Sequence, residues 1–124
     1  MLSQTKMVNA RKAIESMYVG TCKITEYKKV KRENKTTGFE ENVVLENEPC
    51  RLSFKTIDTT NQSEIASSLN QVVKVFLSPE IKVKPGSKLT ITQNGVTTDY
   101  MSSGEPAIYS THQEIILELF KGWA

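Results

Sequence analysis

The first periodic feature of the chain is a stripe of apolar residues at three- and four-residue spacing. Residues 4–17, QTKMVNARKAIESM, place Met7, Ala10, Ile14 and Met17 on this stripe and the charged residues off it. The spacing predicts an amphipathic α-helix over residues 4–17. Because the stripe consists of small or flexible side chains, it can cap the core or dock on another subunit. Met7, Ile14 and Met17 are therefore candidate partner contacts.

After Gly20 the apolar period becomes two, as in a β-strand. Apolar and polar residues alternate in TCKITEYKKV (21–30) and again in NVVLENEPCRLSFK (42–55). The first of these runs continues into a segment rich in Lys and Arg, whereas the second, together with the residues just before it, contains Glu40, Glu41, Glu46 and Glu48. The two runs predict the arms of one hairpin, since opposite charges on paired strands help to set the register. In this interpretation the basic run is a solvated hairpin arm.

Residues 56–70, TIDTTNQSEIASSLN, show no strand pattern and are rich in Ser, Thr, Asn and Gln. Loops of this length inside a compact domain are uncommon, and they are usually functional or disordered. The sequence therefore predicts a long inserted loop at residues 56–70.

The second half of the chain has the clearest strand signals. QVVKVFL (71–77) carries apolar residues on both parities, which predicts a strand covered on both faces. Asn94-Gly95 in KLTITQNGVTTDYMS is the preferred pair for a type I′ turn. This turn sets three predicted cross-strand pairs, namely Gln93 with Val96, Ile91 with Thr98, and Leu89 with Tyr100. AIYSTHQEIILELF (107–120) predicts a long final strand whose odd positions face the core.

Together these elements predict a mainly β protein with a single domain, residues 1–124. The expected fold is a small antiparallel β-barrel or sandwich of six to seven strands. It has an N-terminal amphipathic helix and a long inserted loop. A chain of 124 residues is long enough to bury most of its apolar surface around one core.

Composition and charge exclude several functional classes. The 16 basic and 14 acidic residues nearly balance, which argues against nucleic-acid binding by the whole domain. No apolar run approaches the roughly 18 residues of a membrane span, and the N-terminal segment lacks the apolar stretch of a secretory signal. We therefore expect a soluble protein with no membrane partner that stays where it is made. Two cysteines and one histidine are too few for a zinc site, so Cys22 and Cys50 are predicted to be buried, reduced thiols.

The only histidine, His112, lies two residues before Glu114 on the predicted final strand. Both residues fall on its more polar face, too close in direction to flank a substrate. A general base needs an orienting group and usually a nucleophile or metal, and the chain has no Gly-rich phosphate loop, GxSxG or HExxH motif. We expect no enzymatic activity, no catalytic residue, no metal and no cofactor. His112 and Glu114 are interpreted as partner-facing positions.

The chain ends in ELFKGWA, which contains Phe120 and the only tryptophan, Trp123. Large aromatic side chains are costly to leave in water, and Trp is enriched in interface hot spots. Trp123 either folds back over one end of the domain or anchors a partner, and both interpretations are open. Phe120 and Trp123 are candidate partner contacts.

Four stretches of the chain carry a resemblance to a known family. They are EPCRLSF, VKVFLSPEIKVKPGSKLTITQNGVTTDY, SSGEPAIYSTHQEI and LELFKGWA. In these stretches residues 18–124 resemble the small head-completion proteins of tailed phages and prophages of Gram-positive bacteria, also described as head-closure, stopper or head–tail connector proteins. The resemblance includes no catalytic motif.

The resemblance implies a subunit that forms a homo-oligomeric ring beneath the portal and adaptor, closes the DNA exit after packaging and offers a platform for the tail. It implies a virion protein at the head–tail interface that is assembled in the cytoplasm of the bacterial host. Its implied partners are the portal, adaptor and tail-completion proteins, with packaged double-stranded DNA in the channel but no sequence-specific contact. The loop at residues 56–70 then matches the segment that plugs the channel, with these candidate residues: Asp58, Asn61, Gln62, Ser63, Glu64, Ser67 and Ser68.

Two alternatives remain open at the level of the sequence. A tail terminator or neck protein is equally small and rich in β-structure. An OB-like module that binds single-stranded nucleic acid would need exposed aromatic residues over a basic groove. Against it, Tyr18, Tyr27, Phe39 and Tyr109 are not clustered in the sequence.

Overall fold

The computed structural model describes residues 4–31, 33–34, 36–58 and 69–123. In these ranges one helix precedes seven strands. The elements are α1 (Gln4–Glu15), β1 (Gly20–Lys31), β2 (Thr37–Asp58), β3 (Leu69–Leu77), β4 (Lys88–Gln93), β5 (Val96–Ser102), β6 (Ala107–Ile108) and β7 (Gln113–Leu119). No helix in the described ranges is long and apolar enough to cross a membrane.

All seven strands belong to one antiparallel sheet with the order β3-β2-β1-β4-β5-β7-β6. An additional pairing of β3 with β7 joins the two sides of the sheet, so that six strands form a closed ring. β6 is a short addition that pairs with β7 beside the end of β5. The predicted fold class is confirmed: the protein is mainly β and antiparallel, with one N-terminal helix.

The β4–β5 hairpin forms as its turn residues predict. Asn94 and Gly95 both have positive φ, at 54° and 77°, as a type I′ turn requires. All three predicted cross-strand pairs are present. The pairs nearer the core bury Leu89, Ile91 and Tyr100, whereas Val96 is exposed because it lies at the hairpin tip.

The prediction of one long final strand is wrong. β6 ends at Ile108, and the backbone turns through residues 109–112, closed by a hydrogen bond of 2.8 Å from Tyr109 N to His112 O. β6 then pairs antiparallel with the start of β7. Strand-forming residues continue through this turn, so local pattern alone does not reveal it. In β7 the predicted parity is confirmed for Gln113, Ile115 and Leu117, which are buried, whereas Leu119 at the end of the strand is 61% exposed.

Two other predicted boundaries differ from the structure. The helix ends at Glu15 and not at residue 17, because the chain leaves it through a tight turn in which Met17 N donates to Ile14 O. The predicted loop 56–70 is shorter than expected, since residues 56–58 belong to β2 and residues 69–70 to β3, paired in register. Backbone pairing between neighbouring strands continues there despite the polar side chains. Residues 59–68 lie outside the described residues.

The core fills the inside of the ring with aliphatic side chains, one tyrosine and the two cysteines. Its buried residues are Cys22, Ile24, Cys50, Leu52, Val75, Leu77, Val83, Leu89, Ile91, Tyr100, Ile115 and Leu117. Cys22 and Cys50 are buried free thiols, as predicted. A hydrogen bond to Cys50 and then burial raise the pKa of Cys22, which keeps this thiol protonated.

One buried amide fastens the β3–β4 connection to the core. Gln113 is 0% exposed, and its Nε2 donates to Ser78 O at 2.8 Å and to Ile81 O at 2.5 Å. These bonds satisfy two backbone carbonyls of a connection that is not part of the sheet. Gln113 therefore holds residues 78–81 in place.

The 22-residue strand β2 extends past the ring at both ends. At one end residues 37–42 pair with residues 26–31 of β1, beyond the point where β1 stops pairing with β4 at Thr25. We call these two segments the hairpin arm. At the other end residues 55–58 pair with residues 69–72 of β3, beyond the point where β3 pairs with β7. Between the two ends the β1–β2 register shifts near Asn47, which has a positive φ of 55° and forms a bulge that bends β2.

Candidate interaction surfaces

The C-terminal tail folds back onto the hairpin arm. Trp123 stacks on Tyr27 with ring centroids 4.8 Å apart and planes 4° apart, and Phe120 meets the indole edge-on at 5.0 Å. On the arm, Tyr27 also stacks with Phe39 at 5.2 Å. Gly122, with a φ of 110°, supplies the backbone turn that other residues adopt only with strain. We call Tyr27, Phe39, Phe120 and Trp123 the aromatic cluster.

Glu41 and Lys88, which carry opposite charges, contact the edge of the aromatic cluster. Trp123 Nε1 and Lys88 Nζ each donate to Oε2 of Glu41 at 2.9 Å. The ammonium of Lys88 also lies 4.9 Å from the ring centroid of Phe120 and 5.8 Å from that of Trp123, within cation–π range. The hydrogen bond from Lys88, and then that from Trp123, lower the pKa of Glu41. The cluster is thus held together by ring stacking and by the contacts of Glu41 and Lys88.

The structure places Trp123 in the folded-back position, on the hairpin arm. The cluster still presents aromatic surface, since Tyr27 is 40% exposed and Phe39 52% exposed. Sequence reasoning missed Tyr27, Phe39, Glu41 and Lys88 as parts of one surface. The signal for the first three was available, because the register that pairs Lys28 with Glu40 also places Tyr27 opposite Glu41 and Phe39 opposite Lys29.

A groove of about 370 Å³ lies beside the aromatic cluster, between the hairpin arm and residues 84–87. Tyr27, Met101 and Trp123 line it together with Lys28 and Lys84. Glu26 Oε1 lies 3.7 Å from Lys28 Nζ and 3.9 Å from Lys84 Nζ, so two lysines face one glutamate here. The groove therefore has an apolar floor and a basic rim.

A second surface is centred on His112, in the turn between β6 and β7. The imidazole stacks with Phe76 and with Tyr109, at centroid distances of 5.4 Å and 5.0 Å. Its Nε2 lies 2.9 Å from Oε2 of Glu114, and its Nδ1 lies 3.0 Å from Oγ1 of Thr111. The structure thus brings together His112 and Glu114, on the outer side of β7.

The charges of this second surface neutralise each other. Lys74 Nζ on β3 lies 3.4 Å from Oε1 of Glu114, so the carboxylate faces both an imidazole and an ammonium. The hydrogen bond with His112, followed by that with Lys74, lowers the pKa of Glu114. Both nitrogens of the imidazole are already within hydrogen-bond distance of a partner. Among the described residues no group of three or more His, Cys, Asp or Glu side chains could hold a metal ion.

Helix α1 lies on the outside of the sheet and buries none of its residues. Its predicted stripe is half-covered, with Met7 and Ile14 partly buried, and Met17 just after the helix is 47% exposed. Arg11 attaches the helix to the β3–β4 connection through two hydrogen bonds to the carboxylate of Glu80, at 2.5 Å and 2.6 Å. These contacts orient the helix by charge and leave part of the stripe accessible.

The channel-plug candidates fall at the far end of the β2–β3 hairpin. Asp58 is the last residue of β2 and pairs with Leu69, the first residue of β3. The other candidates, Asn61, Gln62, Ser63, Glu64, Ser67 and Ser68, lie outside the described residues. The described residues on either side of this segment, 55–58 and 69–72, are paired and extend beyond the ring.

Comparison with known proteins adds one structural likeness. No protein-family model and no curated protein matches the chain. Among solved structures the chain is similar to the phage-like element PBSX protein xkdH from Bacillus subtilis, with a TM-score of 0.49 and 9% sequence identity. The likeness covers 80% of this chain and 91% of that protein. At this TM-score it carries no argument about function.

Proposed function

We propose that the protein is a structural subunit of a phage or prophage particle, a head-closure or stopper protein that forms a ring under the portal–adaptor complex. In this role it retains packaged DNA and provides the platform to which the tail attaches. Its place is the head–tail interface of the virion. The role requires no catalytic step and no cofactor.

The observation that carries the proposal is the extension of β2 beyond both ends of the ring-like sheet. Segments that project from the core of a subunit can reach the neighbouring subunits of a ring. At one end β2 contributes to the hairpin arm with its aromatic cluster, and at the other its residues 55–58 pair with residues 69–72 of β3. This arrangement fits the role implied by the sequence resemblance, in which an inserted segment enters the channel while the rest of the subunit contacts the ring.

A tail terminator or neck protein is the alternative within the same class. It would use the same projecting surfaces on the tail side of the connector. Binding to the portal–adaptor complex separates the two roles, since a tail-side protein should bind the tail tube instead.

A single-stranded nucleic-acid-binding module is a second candidate function, favoured by one observation. The aromatic cluster, with Lys28, Lys84 and Lys88 close to it, combines stacking surfaces with positive charge. Bases stack on such side chains with little sequence preference. A gel shift with a single-stranded oligonucleotide at moderate salt tests this function, and a shift that Phe39→Ala abolishes would support it.

The test of the proposed function is the solution mass by light scattering, for the protein alone and with the portal–adaptor complex from the same genome. A fixed number of copies bound per complex is the expected result. A protein that does not bind the complex would contradict the head-closure role and favour the tail-side or nucleic-acid alternatives.

A further inference from the structure

The hairpin arm has two open backbone edges. Residues 26–31 of β1 have no strand partner, within the described residues, on the side where β4 pairs with residues 21–25. Residues 37–50 of β2 have none, within the same ranges, on the side where β3 pairs with residues 51–58. Unpaired edges of this kind present free N–H and C=O groups and are templates for the addition of another strand.

The two open edges carry opposite charges. The β1 edge contains Lys28, Lys29 and Lys31, and its one carboxylate, Glu26, already faces Lys28 and Lys84. The β2 edge contains a set of glutamates and no basic residue: Glu40, Glu41, Glu46 and Glu48. Within one chain Lys28 lies opposite Glu40 in the strand register, while its ammonium faces Glu26 at 3.7 Å. A second copy of the chain offers the same acidic strand to the free basic edge.

The β1 edge is accessible over most of its length, since Tyr27, Lys28, Lys29 and Lys31 are exposed. The groove of about 370 Å³ opens beside residues 26–28 and has a basic rim. Exposed apolar side chains, Phe39 at 52%, Val43 at 47% and Val44 at 46%, lie on the β2 side, where a neighbour would cover them. The stack of Trp123 on Tyr27 braces the arm from one face and leaves its backbone edges free.

We propose that the β1 edge of one copy pairs with the β2 edge of the next, so that the hairpin arms of neighbouring copies form a continuous intersubunit sheet. This inference rests on the proposed ring and identifies its subunit contact. The contact is heterologous, because it joins two different edges, and such head-to-tail contacts close into rings when the rotation between copies permits. The occupant is a second copy of this chain, selected by the match between basic and acidic strands.

Two charge-reversed variants test whether the pairing is between chains. The first, Lys28→Glu with Lys29→Glu, makes the β1 edge acidic. The second, Glu40→Lys with Asn42→Lys, makes residues 37–42 of the β2 edge basic and spares Glu41, which binds Trp123. Each variant alone opposes like charges at every contact, so we expect the concentration needed to form a ring on the portal–adaptor complex to rise about tenfold.

Mixing the two variants in equal amounts is the decisive step. In an alternating ring every intersubunit contact again joins a basic edge to an acidic edge, although both chains keep like charges within their own arms. We expect the mixture to assemble at close to the wild-type concentration. Lys12→Glu with Lys55→Glu, at exposed positions on α1 and at the opposite end of β2, is the control with the same change of charge as the first variant and should assemble normally.

Each outcome decides between the two proposals. Variants that assemble like the wild type would overturn the arm contact and leave the head-closure role intact. Variants that keep the wild-type circular dichroism spectrum and melting temperature, but fail both alone and mixed, would also overturn pairing between copies. A wild-type chain that forms no ring with the complex would overturn the proposed function, and the arm contact with it.

Discussion

The indole ring of Trp123 lies parallel to the phenol ring of Tyr27, with ring centroids 4.8 Å apart. Tyr27 belongs to the hairpin arm, beyond the last residue of β1 that pairs with β4. A two-stranded hairpin is only marginally stable by itself in water. The stack therefore connects the hairpin arm to the C-terminal tail, and the tail stabilises the arm.

Removing the indole should loosen the arm. We expect Trp123→Ala to lower the free energy of unfolding by about 1 kcal/mol, the typical value of an aromatic stack. Urea unfolding measures this loss, and faster hydrogen exchange at residues 26–31 should accompany it. Trp123→Phe keeps an aromatic ring and should recover most of the stability. An unchanged free energy of unfolding with slower ring assembly would instead make Trp123 a partner anchor only.

Shortening the β2–β3 hairpin should cause particles to lose packaged DNA while the protein still folds. Replacing residues 59–68 by Asn-Gly leaves the paired residues 55–58 and 69–72 joined by a tight turn, so we expect a folded protein with a nearly unchanged melting temperature. Particles that carry this variant should lose packaged DNA. A ten-residue Gly/Ser replacement is the control for length. Loss of folding, or full particles that retain DNA, would contradict the plug role.

Replacing the buried amide should destabilise the domain. Gln113→Leu keeps a similar volume but removes the side-chain donor to Ser78 O and Ile81 O, and of these two carbonyls Ser78 O keeps only its 3.3 Å hydrogen bond from Ile81 N. We expect the free energy of unfolding to fall by about 2 kcal/mol or more, because buried unpaired polar groups carry a desolvation cost. Gln4→Leu, on the exposed first turn of α1, is the matched control and should change little. Equal stability of the two variants would show that residues 78–81 do not depend on Gln113.

The charge network of His112, Glu114 and Lys74 should make stability depend on acid pH. The pKa of Glu114 lies below its ordinary value of 4.5 in the folded protein, so the carboxylate contributes stability above that pH. This contribution is lost as the pH falls through the lowered pKa. Glu114→Gln should therefore be less stable than the wild type near neutral pH, and the difference should shrink in acid. Urea unfolding at several pH values measures it, and a difference that is constant with pH would contradict this account.

The local sequence pattern alone determined those elements whose geometry depends only on residues close together in the chain. Asn94-Gly95 specified the β4–β5 hairpin and its register, because both residues tolerate positive φ and few other pairs do. The alternation in β7 identified its buried side, since side chains on a strand alternate between two faces. The mainly β fold class and the buried cysteines followed from the same local rules.

Only the tertiary structure decided which distant residues meet. Tyr27, Phe39, Phe120 and Trp123 are spread over the chain and come together because β1, β2 and the C-terminal tail converge at one end of the ring. The closure of the ring by β3 and β7, and the break between β6 and β7, likewise depend on pairing between strands far apart in sequence. Such pairing is selected by the packing of the whole sheet, and a local alternation of apolar and polar residues is compatible with many partners.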